Sequence, residues 1–316
     1  MRTIQKVVVY GSLGIRPGLS ELLWAFRKRN KLEEFPVYLD DHPFQLLERI
    51  EREQSNGMRT ADVVLMPHYM LLTLAKSGML ARHRPAEPLP SGLADAEHRF
   101  SPIGVTFMGM ACDSRTLSSN RLPSRIEDLL EPKRYKLGVQ SLTASKAGNL
   151  GVYYVAYLRH KLGESRWRSF VEGLADRNVP KAYDCIDHLL QGMMDGELSV
   201  ALTVYSLAYF REKVIGSPVE LLRMEDAPTM LTFTSAGLLR GAEENPSAVT
   251  FFEFLLSEEA QRIIGSMPGI APVRPGLRPA YDFQQEYGPE SEFHPNEKEM
   301  EEAGRAADFF RRLGLP

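Results

Sequence analysis

The chain has 316 residues, 43% of them hydrophobic and 25% charged, with a formal net charge of −3. This is globular composition, too long for one minimal core, so two lobes are expected. Acidic and basic residues are mixed along the chain, so nothing suggests a nucleic-acid groove or a membrane-binding surface, and no run of about 18 apolar residues marks a transmembrane helix.

The start, "MRTIQKVVVYGSLG", runs from Met1 into a strand at Val7 to Tyr10, with no apolar h-region and no small-residue cleavage site. The expected location is periplasmic or otherwise extracytoplasmic if a leader was removed, and cytoplasmic if Met1 is native. "KVVVYGSLG" reads as a buried strand ending in a Gly/Ser turn. "PGLSELLWAFRKRN" follows as an amphipathic helix with Leu19, Leu22, Leu23 and Phe26 on one side. "FPVYLDD" is a strand, "PFQLLERIEREQSNG" a helix stopping at Gly57, "ADVVLMP" a strand, and "YMLLTLAKSGML" a short helix ending near Gly78. Strands and helices alternating at these spacings predict a parallel sheet covered on both faces.

A proline-rich connector occupies Ala81 to Ser101, and a strand resumes at Gly104 to Asp113. "LPSRIEDLLEP" reads as a short helix with Ser124 as its N-cap, and "YKLGVQS" as a strand leading into "SLTASKAGNLGVYYVAYLRHKLG", whose helix is expected to begin at or just after Thr143 or Ser145. "ESRWRSFVEGLAD" is a helix, as is "YDCIDHLLQGMMDGE", where Ile186, Leu189, Leu190 and Met193 recur at helical spacing. "LSVALTVYS" and "PTMLTFTSAGLLRG" are strands, "PSAVTFFEFLLSEEAQRIIGSMPG" one long capped helix, and the polar tail closes with an amphipathic helix. Cys112 and Cys185 are the only cysteines, and isolated as they are they read more readily as separate thiols than as a disulfide. No CxxC or HExxH spacing occurs.

Small polar residues follow buried strands at four places. Ser141, Thr143, Ala144, Ser145 and Lys146 open a helix, where backbone N–H groups, hydroxyls and the positive helix end favour an anion by about 0.3–1 kcal/mol per dipole contribution. The competing reading is a plain helix cap, a contribution of about 1 kcal/mol to the fold. Ser12, Leu13 and Gly14 form a loop in which the glycines permit close backbone approach, or a simple strand-to-helix turn. His68 follows a strand and a proline, either as a ligand contact or as a satisfied core histidine. Tyr205 and Ser206 end a strand, with Tyr205 turned to a ligand or packed. Tyr153, Tyr154 and Tyr157 read as core.

The order of these segments resembles the type II substrate-binding proteins of ABC transporters, within them the ferric-iron, phosphonate and polyamine-binding branch. "VVVYGSLG", "ADVVLMPHYMLLTLAKSGML", "LPSRIEDLLEPKRYKLGVQSLTAS", "GELSVALTVYS" and "NPSAVTFFEFLLSEEAQRIIGSMPGIAPVRPG" carry the resemblance in order along the chain. The resemblance implies an α/β, two-lobe periplasmic-binding-protein type II fold. Each lobe would be a mixed, mainly parallel sheet flanked by helices, with two crossing hinge strands and the ligand between the lobes. Lobe 1 would comprise residues 1–103 and 224–275, lobe 2 residues 104–223 and 276–316.

Ferric-binding members of that branch typically use adjacent tyrosines, a histidine and a carboxylate, hard or borderline donors for a trivalent cation. Here the tyrosine pair is reduced to Tyr205 and Ser206, the first-loop histidine is replaced by Gly14, and Pro67 and His68 stand where the carboxylate is expected. The expectation is therefore a non-enzymatic, monomeric import receptor for a small anion such as a phosphonate, phosphate ester or carboxylate. Its expected partner is an ABC transporter permease; no cofactor, resident metal, nucleic acid or membrane insertion is expected. The alternatives are a ferric-iron transport protein with a non-standard ligand set, and a cytoplasmic sensor or enzyme on the same fold. No nucleophile and base pair stands out in the chain, although a lone cysteine with a distant histidine is invisible to spacing.

Overall fold

The structure is a computed structural model describing residues 6–12, 16–32, 36–41, 43–58, 60–86, 95–117, 122–141, 150–205, 208, 211–267, 269–280 and 297–316. In chain order its elements begin with β1 (Val8–Ser12), α1 (Arg16–Asn30), β2 (Val37–Asp41), α2 (Pro43–Ser55), β3 (Val63–Pro67), α3 (His68–Lys76) and β4 (Phe100–Asp113). Next come β5 (Leu137–Gln140), α4 (Leu150–Leu162), α5 (Glu164–Arg177), β6 (Lys181–Tyr183), α6 (Ile186–Met194), β7 (Val200–Tyr205) and β8 (Val219–Leu222). The chain closes with β9 (Met230–Leu238), α7 (Pro246–Leu256), α8 (Glu258–Ser266), β10 (Ala271–Pro272) and α9 (Glu297–Arg312). These fall into two compact units, residues 1–106 with 232–282 and residues 107–231 with 283–316.

In the first unit β1 lies between β2 and β3, parallel to both, and β9 runs antiparallel to β3. The four-residue stripe expected on α1 is its buried face: Leu19, Leu22, Leu23 and Phe26 are each at most 5% exposed. They meet Val7 and Val9 of the first strand, Val63 and Leu65 of β3, and Phe251, Phe252 and Leu255 of α7 in one core. β3 is apolar along its length because both faces of the sheet are covered. Gly57 and Gly78, at φ values of 68° and 66°, release the chain after α2 and α3 as expected.

The single long helix expected from Pro246 onward is two. Ser257 is extended, at φ −69° and ψ 156°, and its hydroxyl accepts from the Ala260 N–H at 3.4 Å, so it starts α8 with Glu258 and Glu259 in the first turn. Asn245 starts α7 in the same manner, accepting from Ser247 N–H at 3.0 Å, with Pro246 at the first helical position. The strand expected from Gly104 begins at Phe100, four residues earlier.

In the second unit β5 is parallel to β6 and β7, while β4 runs antiparallel to β7 and β8. Ile186, Leu189, Leu190 and Met193 of α6 are buried together with Leu198 and Ala201, as their spacing predicts. Tyr153, Tyr154 and Tyr157 are core residues, at most 2% exposed. The Tyr154 hydroxyl donates to the Ala227 carbonyl and the Tyr157 hydroxyl to the Thr229 carbonyl, both at 3.3 Å. Ser124 does not cap its short helix. Asp128 instead accepts from the Ser124 and Arg125 N–H groups at 2.8 and 3.0 Å, inverting the expected donor and acceptor.

Gln261 of α8 ties together three segments of the first unit. Fully buried, it donates to the carbonyls of Ile103 and Leu255 at 2.9 Å each, and its side-chain oxygen accepts from Val273 N–H at 2.8 Å. Replacing it with leucine strands all three groups in the core, where an unmet partner costs about 1–3 kcal/mol. Gln261→Leu is expected to lower the unfolding free energy by about 3 kcal/mol. Its exposed neighbour Arg262→Leu should stay within about 0.5 kcal/mol of wild type, both read from denaturant melts.

Candidate functional site

The four places singled out in the sequence all lie at C-terminal strand ends. Ser12 is the last residue of β1, its backbone opposite Asp41 of β2. His68 follows the last residue of β3, Ser141 follows the last residue of β5, and Tyr205 is the last residue of β7. In an open parallel sheet these ends collect ligand-binding loops, because the strand interiors have no spare hydrogen-bonding capacity. Leu13, Gly14, Thr143, Ala144, Ser145, Lys146 and Ser206 lie outside the described residues, as do the side chains of Ser12 and Tyr205.

β1 is held in place by a buried polar cluster beneath its end. The Tyr10 hydroxyl donates to Glu53 of α2 at 3.0 Å, Arg49 donates to the same carboxylate at 2.8 Å, and the Thr60 hydroxyl donates to it as well. Burial pushes the Glu53 carboxyl up, but the hydrogen bonds from Thr60, Arg49 and Tyr10 outweigh it and hold the pKa below the usual carboxylate range. Gly11, one residue before the strand end, has a steric role. A Cβ there would lie 2.7 Å from the Tyr38 hydroxyl and 2.8 Å from its ring, so the close approach read from the sequence is made by a side chain of the neighbouring strand.

His68 is the first residue of α3 and is buried. Its Nδ1 lies 3.0 Å from the Ser235 hydroxyl of β9, and its ring packs edge-on to Phe100 at 5.0 Å and tilted against Phe233 at 5.7 Å. This geometry matches the core-histidine reading of the sequence, with Nδ1 committed to Ser235. Ser141 is half-buried, and its N–H donates to the Tyr183 carbonyl at 2.9 Å. The first N–H of the expected anion turn therefore extends the β5–β6 ladder and is not a free donor. Sequence reasoning missed Ser235 and Gln261, whose partners are far away in the chain, and Glu53, whose cluster joins its near neighbours Arg49 and Thr60 to the distant Tyr10.

Among the described residues, no three His, Cys, Asp or Glu side chains are grouped to hold a metal ion, and no helix is long and apolar enough to cross a membrane. Both cysteines are free thiols. Burial, assisted by Glu220, Asp113 and Glu212, pushes the Cys112 thiol up to about 12, so it has almost no thiolate at neutral pH and is a poor nucleophile.

A family model described as bacterial extracellular solute-binding protein matches residues 55–293. The major ferric iron-binding protein of Neisseria meningitidis is 25% identical over 257 residues, covering 76% of this chain and 73% of that protein. Iron-bound HitA from Pseudomonas aeruginosa superposes with a TM-score of 0.77 at 20% identity, over 98% of this chain and 99% of that one. The Trichodesmium protein IdiA (FutA), solved with iron and citrate ligands, superposes with a TM-score of 0.71 at 19% identity, over 99% of this chain and all of that one. These likenesses establish an α/β periplasmic-binding-protein fold.

The thiol environments predict a labelling pattern. In folded protein at pH 8, iodoacetamide is expected to modify half-buried Cys185 while sparing Cys112, and to modify both in denaturant. Because the Cys112 pKa is raised, its thiolate accumulates only as the pH approaches about 12. Rapid native labelling of Cys112, read by peptide mass spectrometry, would contradict this assignment.

Proposed function

The chain belongs to the bacterial extracellular solute-binding proteins, non-enzymatic receptors of transport systems, and from that premise we propose that it captures ferric iron as a carboxylate chelate, with ferric citrate as the model ligand. It delivers this cargo, outside the cytoplasm, to the permease of an ABC importer. The observation that carries the reading is a mismatch. The Neisseria meningitidis relative is named a ferric iron-binding protein and HitA was solved iron-bound, yet this chain has Tyr205 without a second adjacent tyrosine, Gly14 where the resemblance places a histidine, and Pro67 and His68 where it places a carboxylate.

Ferric iron prefers hard oxygen donors. A protein offering few of them retains the metal when the cargo brings its own oxygens. In this reading Tyr205 supplies a phenolate at the end of β7, and the hydroxyls, N–H groups and Lys146 of the turn after Ser141 neutralise the negative charge of the chelate. His68, bonded to Ser235, positions the start of α3. The relative solved with iron and citrate supports the pairing of metal and anion. The expectation of a metal-free anion is revised accordingly, while the anion-holding turn keeps its role.

Thermal denaturation with ferric citrate, citrate alone, ferric nitrilotriacetate, phosphate and a simple phosphonate separates the readings. Ligand at about one hundred times Kd adds about 2.7 kcal/mol to the folded state, an upward shift of about 5 °C for a chain of this size. That shift is expected with ferric citrate and not with citrate alone. Thr143→Ala combined with Ser145→Ala should reduce it while leaving the unliganded melting temperature within a few degrees. Equal stabilisation by citrate or phosphonate without iron would establish the metal-free anion receptor. A shift from ferric iron regardless of its anion would place all essential ligands in the protein, and no shift with any probe would remove the receptor reading.

A further inference from the structure

The first unit carries an exposed tryptophan that the fold does not use. Of the two tryptophans in the chain, Trp167 is 2% exposed and Trp24 is 57% exposed. Trp24 lies on α1, opposite the buried stripe of Leu19, Leu22, Leu23 and Phe26. Among the described residues its indole has no aromatic, cationic or hydrogen-bonding partner. With Ala25 beside it and Ile263 of α8, it lines an open depression of about 680 Å³.

Four charges line the same depression, two of each sign. Glu259 and Arg262 of α8 are engaged, with Arg29 at 3.3 Å and with Glu258 at 2.5 Å. Glu21 and Lys28 of α1 are both exposed, and among the described residues neither forms an ion pair. The macrodipole of α1 accounts for Lys28, which stands between Arg27 and Arg29 in a basic last turn, but for neither Glu21 nor Trp24.

The order of these residues along α1 is self-complementary. Glu21, Trp24, Ala25 and Lys28 share one outward stripe, with Glu21 and Lys28 about 10 Å apart along the axis and equidistant from the midpoint between Trp24 and Ala25. A second α1 laid antiparallel across that midpoint sets Glu21 of each copy against Lys28 of the other. The same operation lays each indole over the small side chain of Ala25 in the opposite copy, next to Ile263. A twofold contact requires this property, that residue i meets j while j meets i. The balanced charge meanwhile gives no attraction to an anionic lipid surface or to a strongly acidic or basic partner.

We propose that this face of α1 and α8 is a self-association site, on which a second copy of the chain docks antiparallel across Trp24 and Ala25. One helix pair buries less than the roughly 1,200 Å² of a stable complex, so the dimer is transient, with a Kd on the order of 100 μM. The monomer expected from the sequence is its dilute form.

Sedimentation velocity of the full chain from about 5 to about 500 μM tests this, bracketing the expected Kd. Wild type should pass from monomer to dimer across that range. Trp24→Ala should weaken association about a hundredfold, since each dimer loses two indoles. Glu21→Lys and Lys28→Glu should each weaken it about tenfold. An equimolar mixture of those two variants should recover association, because in the mixed dimer each position 21 again faces an opposite charge at position 28. All three substitutions lie on the surface and should keep the wild-type circular dichroism and melting temperature. Wild type that stays monomeric throughout, whether or not phosphatidylglycerol vesicles retain it, overturns the proposal. Association that survives Trp24→Ala also overturns it by placing the interface elsewhere, and a mixture that fails to recover removes the antiparallel register on which it stands. The ferric citrate shift should be the same in every variant, so this result and the ligand reading stand or fall separately.

Discussion

The covering of each sheet on both faces governs everything else in this molecule. A strand buried on both sides admits apolar side chains along its length and commits its N–H and C=O groups to the ladder. β3 and β9 show the consequence, being buried along nearly all or all of their residues. Hydrogen-bonding capacity for anything beyond the fold then survives only where strands stop. β1 and β3 stop at Ser12 and Pro67 in the first unit, and β5 and β7 at Gln140 and Tyr205 in the second. The polar residues that stand out in the sequence lie at or just after those stops because the chain has nowhere else to put them.

This constraint explains why so much was legible from the residues. The stripe on α1, the stripe on α6 and the three buried tyrosines of α4 follow from local periodicity and apolar content, which a linear sequence displays directly. What escaped depends on partners remote in the chain. His68 meets Ser235 across 167 residues and Gln261 meets Ile103 across 158, and no local pattern announces either pair. The break at Ser257 is different in kind. A serine followed by two glutamates is a helix start, and it was obscured by the strong apolar run before it. At Ser124 the residue types were right and the direction was reversed, since both serine and aspartate serve such turns and only geometry tells donor from acceptor. The strand-end candidates were legible as places, while Ser141 shows that the use of each N–H is set by the neighbouring strand.

Charge acts locally throughout. The net charge of −3 is too small to draw in or repel a ligand by itself. On the proposed reading, an anionic cargo is therefore held by local groups, the hydroxyls and Lys146 that follow Ser141 in the sequence.

The central claim is that metal and anion are taken up together by a protein that supplies only part of the coordination sphere. Equilibrium dialysis against ferric citrate, followed by separate assays of iron and radiolabelled citrate on the same retained protein, tests it most directly. The account predicts that both are retained in constant ratio, and that Tyr205→Phe lowers the retention of both. Retention of iron without citrate, or of citrate to the same level when iron is left out, would contradict it.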